Sequence, residues 1–259
     1  MGNSLTLSKM EHVGVITLEN PKKRNSINSK LINEMSDALN GIEADNDIRV
    51  IIITGSGDSF CAGYDISELA PLKTGSEYYP KGREVQDLFL KIENMKKPII
   101  AAINGLAMGG GLEMSMVCDI RIAAESAVFA LPEVHVGLLP AAGGMTRLPR
   151  LVGVGKAKEL IYTGRRFSAE EACQIGLLNK VVPADQLMNE VMKTASVIAG
   201  CPPLSIAVGK FTINQNLDAS LYSATINEVN GIVSLWETED AQEGLRAFVE
   251  KRKPVFKGR

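Results

Sequence analysis

The chain reads as an α/β protein whose sheet-bearing core is followed by a purely helical C-terminal region. Short β-branched runs, at residues 50–54 and 98–103, are typical of strands covered on both faces. Around them lie stretches with apolar residues at helical spacing, such as Leu31, Ile32, Met35, Leu39 and Ile42. From residue 186 onward only helical patterns remain. With 259 residues the chain can build a large core plus an appendage, and Cys201-Pro202-Pro203 marks a boundary between residues 1–200 and 201–259.

In order, Leu5–Met10 and Val13–Leu18 flank Glu11-His12 and predict a hairpin. Asn20-Pro21 turns the chain, and Asn28 or Ser29 caps the first helix. The strand at 50–54 leads into a loop at 55–66. Residues 71–82, containing Tyr78-Tyr79-Pro80, read as irregular; Val85, Leu88, Phe89, Ile92 and Met95 then mark an amphipathic helix. Asn104-Gly105 ends the next strand, and Gly109-Gly110-Gly111 opens a helical run towards Cys118. Short strands are expected at 119–123 and 127–130, a helix at 155–162, and a capping box at Ser168 and Glu171 starting a helix that Gly176 ends. A last strand at 177–182 precedes helices at 186–199, 204–214, 219–234 and 238–250.

Apolar residues at 45%, charged residues at 22% and a net charge of −2 describe a globular protein with no general attraction to nucleic acid or anionic membrane. Cys61, Cys118, Cys173 and Cys201 are scattered without a C-x-x-C pair, which predicts reduced thiols in a cytoplasmic protein and no metal site. No charged segment followed by an apolar one opens the chain, so no secretory signal is expected. The apolar stretch at 99–117 is interrupted by Asn104, Glu113 and glycines, too polar to cross a bilayer.

The chemistry concentrates between residues 98 and 140. Glycines at a helix start let backbone N–H groups approach a ligand, and the helix dipole favours negative charge there. One turn in stands Glu113, and twenty residues later Leu131-Pro132-Glu133 sets a second carboxylate in a turn. Taken singly, these are a close-packed turn, a dipole partner and an ordinary loop. Together they suggest acid–base chemistry on a carbonyl compound. His135 is a weaker candidate, read as a hydrogen-bonding residue, and His12 as an exposed turn residue. Ser56 lacks the G-x-S-x-G elbow and Gly109-Gly110-Gly111 does not fit the dinucleotide pattern. Trp236 is expected to pack between helices.

In order and spacing the chain resembles the crotonase, or enoyl-CoA hydratase/isomerase, superfamily over nearly its full length. Residues 20–27 (Asn20, Pro21, Lys22, Lys23, Arg24, Asn25, Ser26, Ile27) resemble the family's early coenzyme A loop. Residues 60–66 resemble its first oxyanion segment, and 104–113 its second. Residues 129–140 with Gly143-Gly144 resemble its second catalytic loop, and 238–254 its last helix and tail. The resemblance implies a spiral of ββα turns with a C-terminal helical trimerisation region, in a homotrimer or homohexamer. It implies an oxyanion hole from the backbone N–H groups of Tyr64 and Gly110, with Glu133 giving a proton to the α-carbon and an ionised Glu113 activating water. Substrate contacts are implied at Lys23, Arg24, Ser26, Ala62, Tyr64, Asp65, Ile66, Gly109, Gly110, Pro132 and Leu138, with Lys22, Lys251, Arg252, Lys253 and Lys257 as further cations for coenzyme A. No cofactor is implied beyond the acyl-CoA substrate itself.

Two glutamates suit an enoyl-CoA hydratase acting on a short- or medium-chain substrate. A Δ3-Δ2-enoyl-CoA isomerase needs only the second glutamate, and a branched or cyclic enoyl-CoA is a further possibility for the substrate. From another class, a non-catalytic CoA- or RNA-binding relative is opposed by both glutamates and by the slightly acidic charge balance.

Overall fold

The computed structural model describes residues 3–259. Its first elements are β1 (Leu5–Met10), β2 (Val13–Leu18), α1 (Ser29–Ala44), β3 (Val50–Gly55), β4 (Ser59–Cys61), α2 (Ile66–Leu69) and α3 (Gly75–Asn94). The middle of the chain forms β5 (Ile99–Ile103), β6 (Leu106–Met108), α4 (Gly110–Met116), β7 (Ile120–Ala124) and β8 (Val128–Ala130). Then come α5 (Gly144–Val152), α6 (Val154–Thr163), β9 (Phe167–Ser168), α7 (Ala169–Gln174) and β10 (Lys180–Val182), and finally α8 (Leu187–Ala199), α9 (Pro203–Asn216), α10 (Leu221–Trp236) and α11 (Glu239–Val249).

The strands form two sheets, one ordered β1-β2-β3-β5-β7-β10 and the other β4-β6-β8-β9. Only the β1–β2 hairpin and the β8–β9 pair are antiparallel. The strands β3, β5 and β7 of the first sheet each pass directly to β4, β6 and β8 of the second before a helical segment returns the chain. This repeated step from one sheet to the other builds the spiral of ββα turns. Side chains alternate along β3 between two apolar environments. Ile51 and Ile53 face the main core with Phe60, Phe89 and Phe129, whereas Val50 and Ile52 face α8 through Val191 and Ala195. Each such side chain contributes about 1.5–3 kcal/mol on burial, which explains the continuous apolar runs.

The hairpin and the helices at 29–44 and 187–249 follow the sequence pattern. Asn28, rather than Ser29, caps α1, its side chain accepting from the Leu31 N–H at 2.8 Å. Residues 71–82 are different: α3 begins at Gly75 and carries Pro80 within it. Thr74 and Glu77 form a reciprocal capping box that satisfies the first N–H groups, and Pro80, in the second turn, removes one intrahelical N–H donor without ending the helix. At the other capping box only half forms. Ser168 accepts from the Glu171 N–H at 3.2 Å, but the Glu171 carboxylate pairs with Arg165 instead. The short strands β4, β6 and β9 and the helix α5 escape the sequence pattern because they have few residues or begin at glycine.

The C-terminal helices sit differently from the rest. Neither α9 nor α10 contains a buried residue, and Phe211, Ile213, Leu221, Val229 and Trp236 are exposed. Trp236, at 58% exposure, does not pack between helices within this chain. The hairpin of α9 and α10 is tied to the body by Lys210, whose ammonium meets Asp119 at 2.7 Å with its side chain only 8% exposed. Burial nevertheless raises the Asp119 carboxyl above its ordinary value, outweighing the pull of Lys210. Among the described residues, no single helix is long and apolar enough to cross a membrane.

The corrected start of α3 gives a direct prediction. Thr74→Ala removes the cap and should cost about 1 kcal/mol. Hydrogen exchange should accelerate over residues 75–82 while residues 85–94, buried through Val85, Phe89 and Ile92, keep their protection.

Candidate active site

The site forms where β6 runs without a loop into α4, beside the segment that leaves β4. Ile27 clamps that segment from both sides: its N–H donates to the Gly63 carbonyl at 2.8 Å and its carbonyl accepts from Asp65 at 2.7 Å. Gly63 has φ +94°, and a Cβ there would stand 2.8 Å from the Met108 carbonyl oxygen and 3.1 Å from the Gly110 nitrogen. A Cβ placed on Gly110 would in turn lie 3.5 Å from the Tyr64 nitrogen. The N–H groups of Tyr64 and Gly110 are therefore neighbours, and neither donates to a backbone carbonyl among the described residues. Gly110 is the first residue of α4, where the N–H has no intrahelical acceptor.

Glu133 reaches this point from the single-turn helix Pro132–Val136, which Gly137 closes in the left-handed region. Its Oε1 lies 2.6 Å from where a Cβ on Gly109 would be, so it can approach only because residue 109, at φ +49°, is glycine. Its Oε2 is buried without a hydrogen-bond partner, and burial raises the carboxyl above the ordinary range. Glu113, on α4, is 3% exposed. Its Oε1 accepts from the N–H groups of Ala142 at 2.9 Å and Gly144 at 2.7 Å.

Burial pushes the Glu113 carboxyl up to about 7; the Glu133 charge adds to the rise, while the two N–H donors and Arg147 oppose it. The helix start alone therefore does not set the ionisation of Glu113, and near pH 7 both of its forms are populated. Its carboxylate turns to the 142–144 backbone, and desolvation exceeds what those donors return. Relative to the unfolded chain, folding thus shifts Glu113 towards its protonated form. Its stabilising contribution is complete below the ordinary carboxyl range and is lost as pH rises through about 7.

The early loop is brought to the same place. The Ala62 N–H donates to the Arg24 carbonyl at 2.9 Å, and the Lys23 ammonium pairs with Asp65 at 2.7 Å. Asp65 also caps α2 through the Ser67 N–H at 3.0 Å, and Ile66 beside it is 59% exposed. Ser26 is buried, and Asn25, beside it, is the loop's anchor: its amide donates to the carbonyls of Ser56 and Ser59 and accepts from the Asn20 N–H. Pro132 begins the turn bearing Glu133, and half-exposed Leu138 bonds the Glu133 carbonyl through its N–H at 2.9 Å.

The tail cations stand apart from this cluster. Arg252 pairs with Glu243 and Glu250, and Lys257 with Glu239. His135 bonds the Thr163 carbonyl at 2.8 Å, and His12 the Asp47 carbonyl at 2.9 Å. The thiols of Cys61 and Cys118 are buried and pushed up to about 12. A cavity of about 680 Å³ lies elsewhere, between α9 and the body, with Asp119, Arg121 and Lys210 in its wall.

Sequence reasoning missed the loop that holds Glu113 and the first turns of α3 beside it. Gly143-Gly144 was the available signal for the loop, but nothing local couples it to residue 113.

Residues 8–259 match the family model described as enoyl-CoA hydratase/isomerase. The short-chain-enoyl-CoA hydratase of Clostridium acetobutylicum is 41% identical, over 97% of this chain and 96% of its own. The crotonyl-CoA hydratase of Syntrophomonas wolfei is 42% identical, over 98% and 97% respectively. The crystal structure of an enoyl-CoA hydratase from Bacillus anthracis superposes with a TM-score of 0.95 at 39% identity, covering 99% of this chain and 100% of that one. With the family model matched almost end to end, the chain belongs to the enoyl-CoA hydratase/isomerase family.

Proposed function

We propose that this protein hydrates a short-chain 2-enoyl-CoA thioester, giving the 3-hydroxyacyl-CoA, and that Glu113 and Glu133 carry the proton transfers. The observation that carries this reading is the pair of buried carboxyls beside two free backbone N–H groups. The names of the clostridial and syntrophomonad relatives support the short chain.

The thioester oxygen accepts from the N–H groups of Tyr64 and Gly110, which stabilise the negative charge that develops there as the β-carbon is attacked. Glu113, ionised, takes a proton from water as the water oxygen bonds to the β-carbon. Glu133, protonated, delivers its proton through Oε2 to the α-carbon. The pair holds one proton before and after; it has moved from Glu133 to Glu113, and exchange with solvent restores the starting state. Two carboxyls that are both raised by burial, with the charge on one raising the other, suit a shared proton near neutral pH. Glu113 keeps one oxygen on Ala142 and Gly144, so its other oxygen is oriented rather than free to rotate.

Coenzyme A is held at the early loop by Lys23 and Arg24, with Ser26, Ala62, Asp65, Ile66, Pro132 and Leu138 shaping the entrance. The salt bridge of Lys23 to Asp65 makes Lys23 a positioned cation rather than a waving one. The tail residues Lys251, Arg252, Lys253 and Lys257 serve a neighbouring subunit's coenzyme A rather than their own, a reading supported by the pairing of Arg252 and Lys257 within the C-terminal region of their own chain. The exposed apolar faces of α9 and α10 support residues 201–259 as the assembly region of a trimer or hexamer.

The chemistry is tested by loss of enoyl absorbance with crotonyl-CoA. Glu113→Gln and Glu133→Gln should each slow hydration by about 10²–10⁴-fold, and the double variant should lose little more, because both act on one water. If Glu113→Gln hydrates normally while Glu133→Gln is inactive, the one-glutamate isomerase reading replaces this one. Assembly is tested by light scattering at micromolar concentration, where the wild type should run as a trimer or larger; a stable active monomer would remove the C-terminal helices from that role.

A further inference from the structure

Among the described residues, three buried side-chain atoms have no hydrogen-bond partner: Glu43 Oε2, Tyr64 Oη and Glu133 Oε2. A buried polar atom left unpaired is costly, so each needs a reason. For Glu133 the reason is its proposed proton transfer. Tyr64 stands at the other side of the same site, and its hydroxyl has no task in the reaction as written.

The Tyr64 ring packs against the main core, and its buried hydroxyl is a separate group from the backbone N–H that serves the thioester oxygen. Burial, and then the charges of Glu68 and Glu84, push the phenol up to about 12, so it remains a hydrogen-bond donor at neutral pH. Tyr78, in the second turn of α3, is a near neighbour. Its ring folds back over Gly82, where a Cβ would meet Tyr78 Cε1, Cζ and Oη at 3.1–3.4 Å. The Tyr78 hydroxyl lies within electrostatic range of both Tyr64 and Glu113. This wall is fixed, because Lys81 donates to Ser29 Oγ at 2.8 Å and Ser29 Oγ donates to Glu68 at 2.8 Å. With the thioester oxygen at residues 64 and 110 and the β-carbon at Glu113, as in the reaction proposed above, the distal acyl chain would continue past Glu113 towards the two phenols, of which Tyr78 interacts with both Glu113 and Tyr64.

Resting on the hydratase reading above, we propose that Tyr64 is a specificity-determining residue whose hydroxyl donates to a neutral oxygen on the distal acyl chain of the enoyl-CoA substrate. A hydroxyl, keto or ether oxygen supplies the missing acceptor. A carboxylate at that position would face the charges of Glu68 and Glu84 near Tyr64 and of Glu113 near Tyr78, against the cation Lys81 that pairs with Glu84 in this wall. A purely hydrocarbon chain leaves the Tyr64 hydroxyl as unpaired as it is now.

The test compares 2-enoyl-CoA esters of increasing length, each with and without a terminal hydroxyl, by kcat/KM in the wild type and in Tyr64→Phe. That substitution keeps the ring and the backbone N–H and removes only the hydroxyl. The ratio between paired esters cancels any common effect on the oxyanion hole. At the matching length the wild type should favour the hydroxylated ester by about ten-fold, and Tyr64→Phe should bring the ratio near one. A wild-type ratio near one at every length, or a preference that survives in Tyr64→Phe, overturns the proposal. Failure to turn over crotonyl-CoA or any of the esters overturns the hydratase reading and this inference with it.

Discussion

Where β6 enters α4, the backbone passes so close to the segment leaving β4 that a Cβ on Gly63 would stand 2.8 Å from the Met108 carbonyl oxygen. That approach brings the N–H groups of residues 64 and 110 side by side, and the same absence of side chains at Gly109 lets Glu133 in. The two sheets make the contact possible. Strands β4 and β6 are parallel neighbours in the smaller sheet, and both deliver their chain at the same end. Ile27 and the Asn25 amide then fix the early loop onto that end, so the proposed coenzyme A contacts and the oxyanion donors share one rigid support.

The carboxylates are held at a cost the fold tolerates because it is large. Glu113 sits almost wholly out of water, and two backbone donors only partly offset its desolvation. A buried acid with its proton retained is less costly than a buried charge, which is why the folded state raises both carboxyls rather than expelling them. The main core, filled by Phe60, Phe89, Phe129 and many Ile and Leu side chains, supplies ample stabilisation elsewhere. The helical C-terminal region follows another logic: it buries none of α9 or α10 within the chain and depends on ion pairs such as Lys210–Asp119 to stay attached.

Local pattern made much of this legible. The alternation of strands with helices, the hairpin, the buried strands and the amphipathic helices all have signals within a dozen residues, and both glutamates stand in recognisable surroundings. The ββα order rested on the family resemblance, because the short strands β4 and β6 carry no pattern of their own. What the sequence hid was mostly non-local. That Glu113 bonds to residues 142 and 144, and so turns away from its own helix start, depends on packing between distant turns of the spiral. The direction of its acidity follows from that packing and from burial. Lys23, expected as a coenzyme A contact, is paired with Asp65, a residue far along the chain. The start of α3 was hidden in another way: Tyr78-Tyr79-Pro80 suggested disorder, although Thr74 and Glu77 already spelled a helix start.

The account turns on a buried pair of carboxyls that keeps one proton between them at neutral pH. Carbon NMR of side-chain-labelled glutamate, assigned by Glu113→Gln and Glu133→Gln, follows this directly. The pair should titrate in two steps, both above the ordinary carboxyl range, with the Glu113 signal still changing near pH 7. Two independent titrations, both complete by about pH 5 as for exposed glutamates, would contradict it.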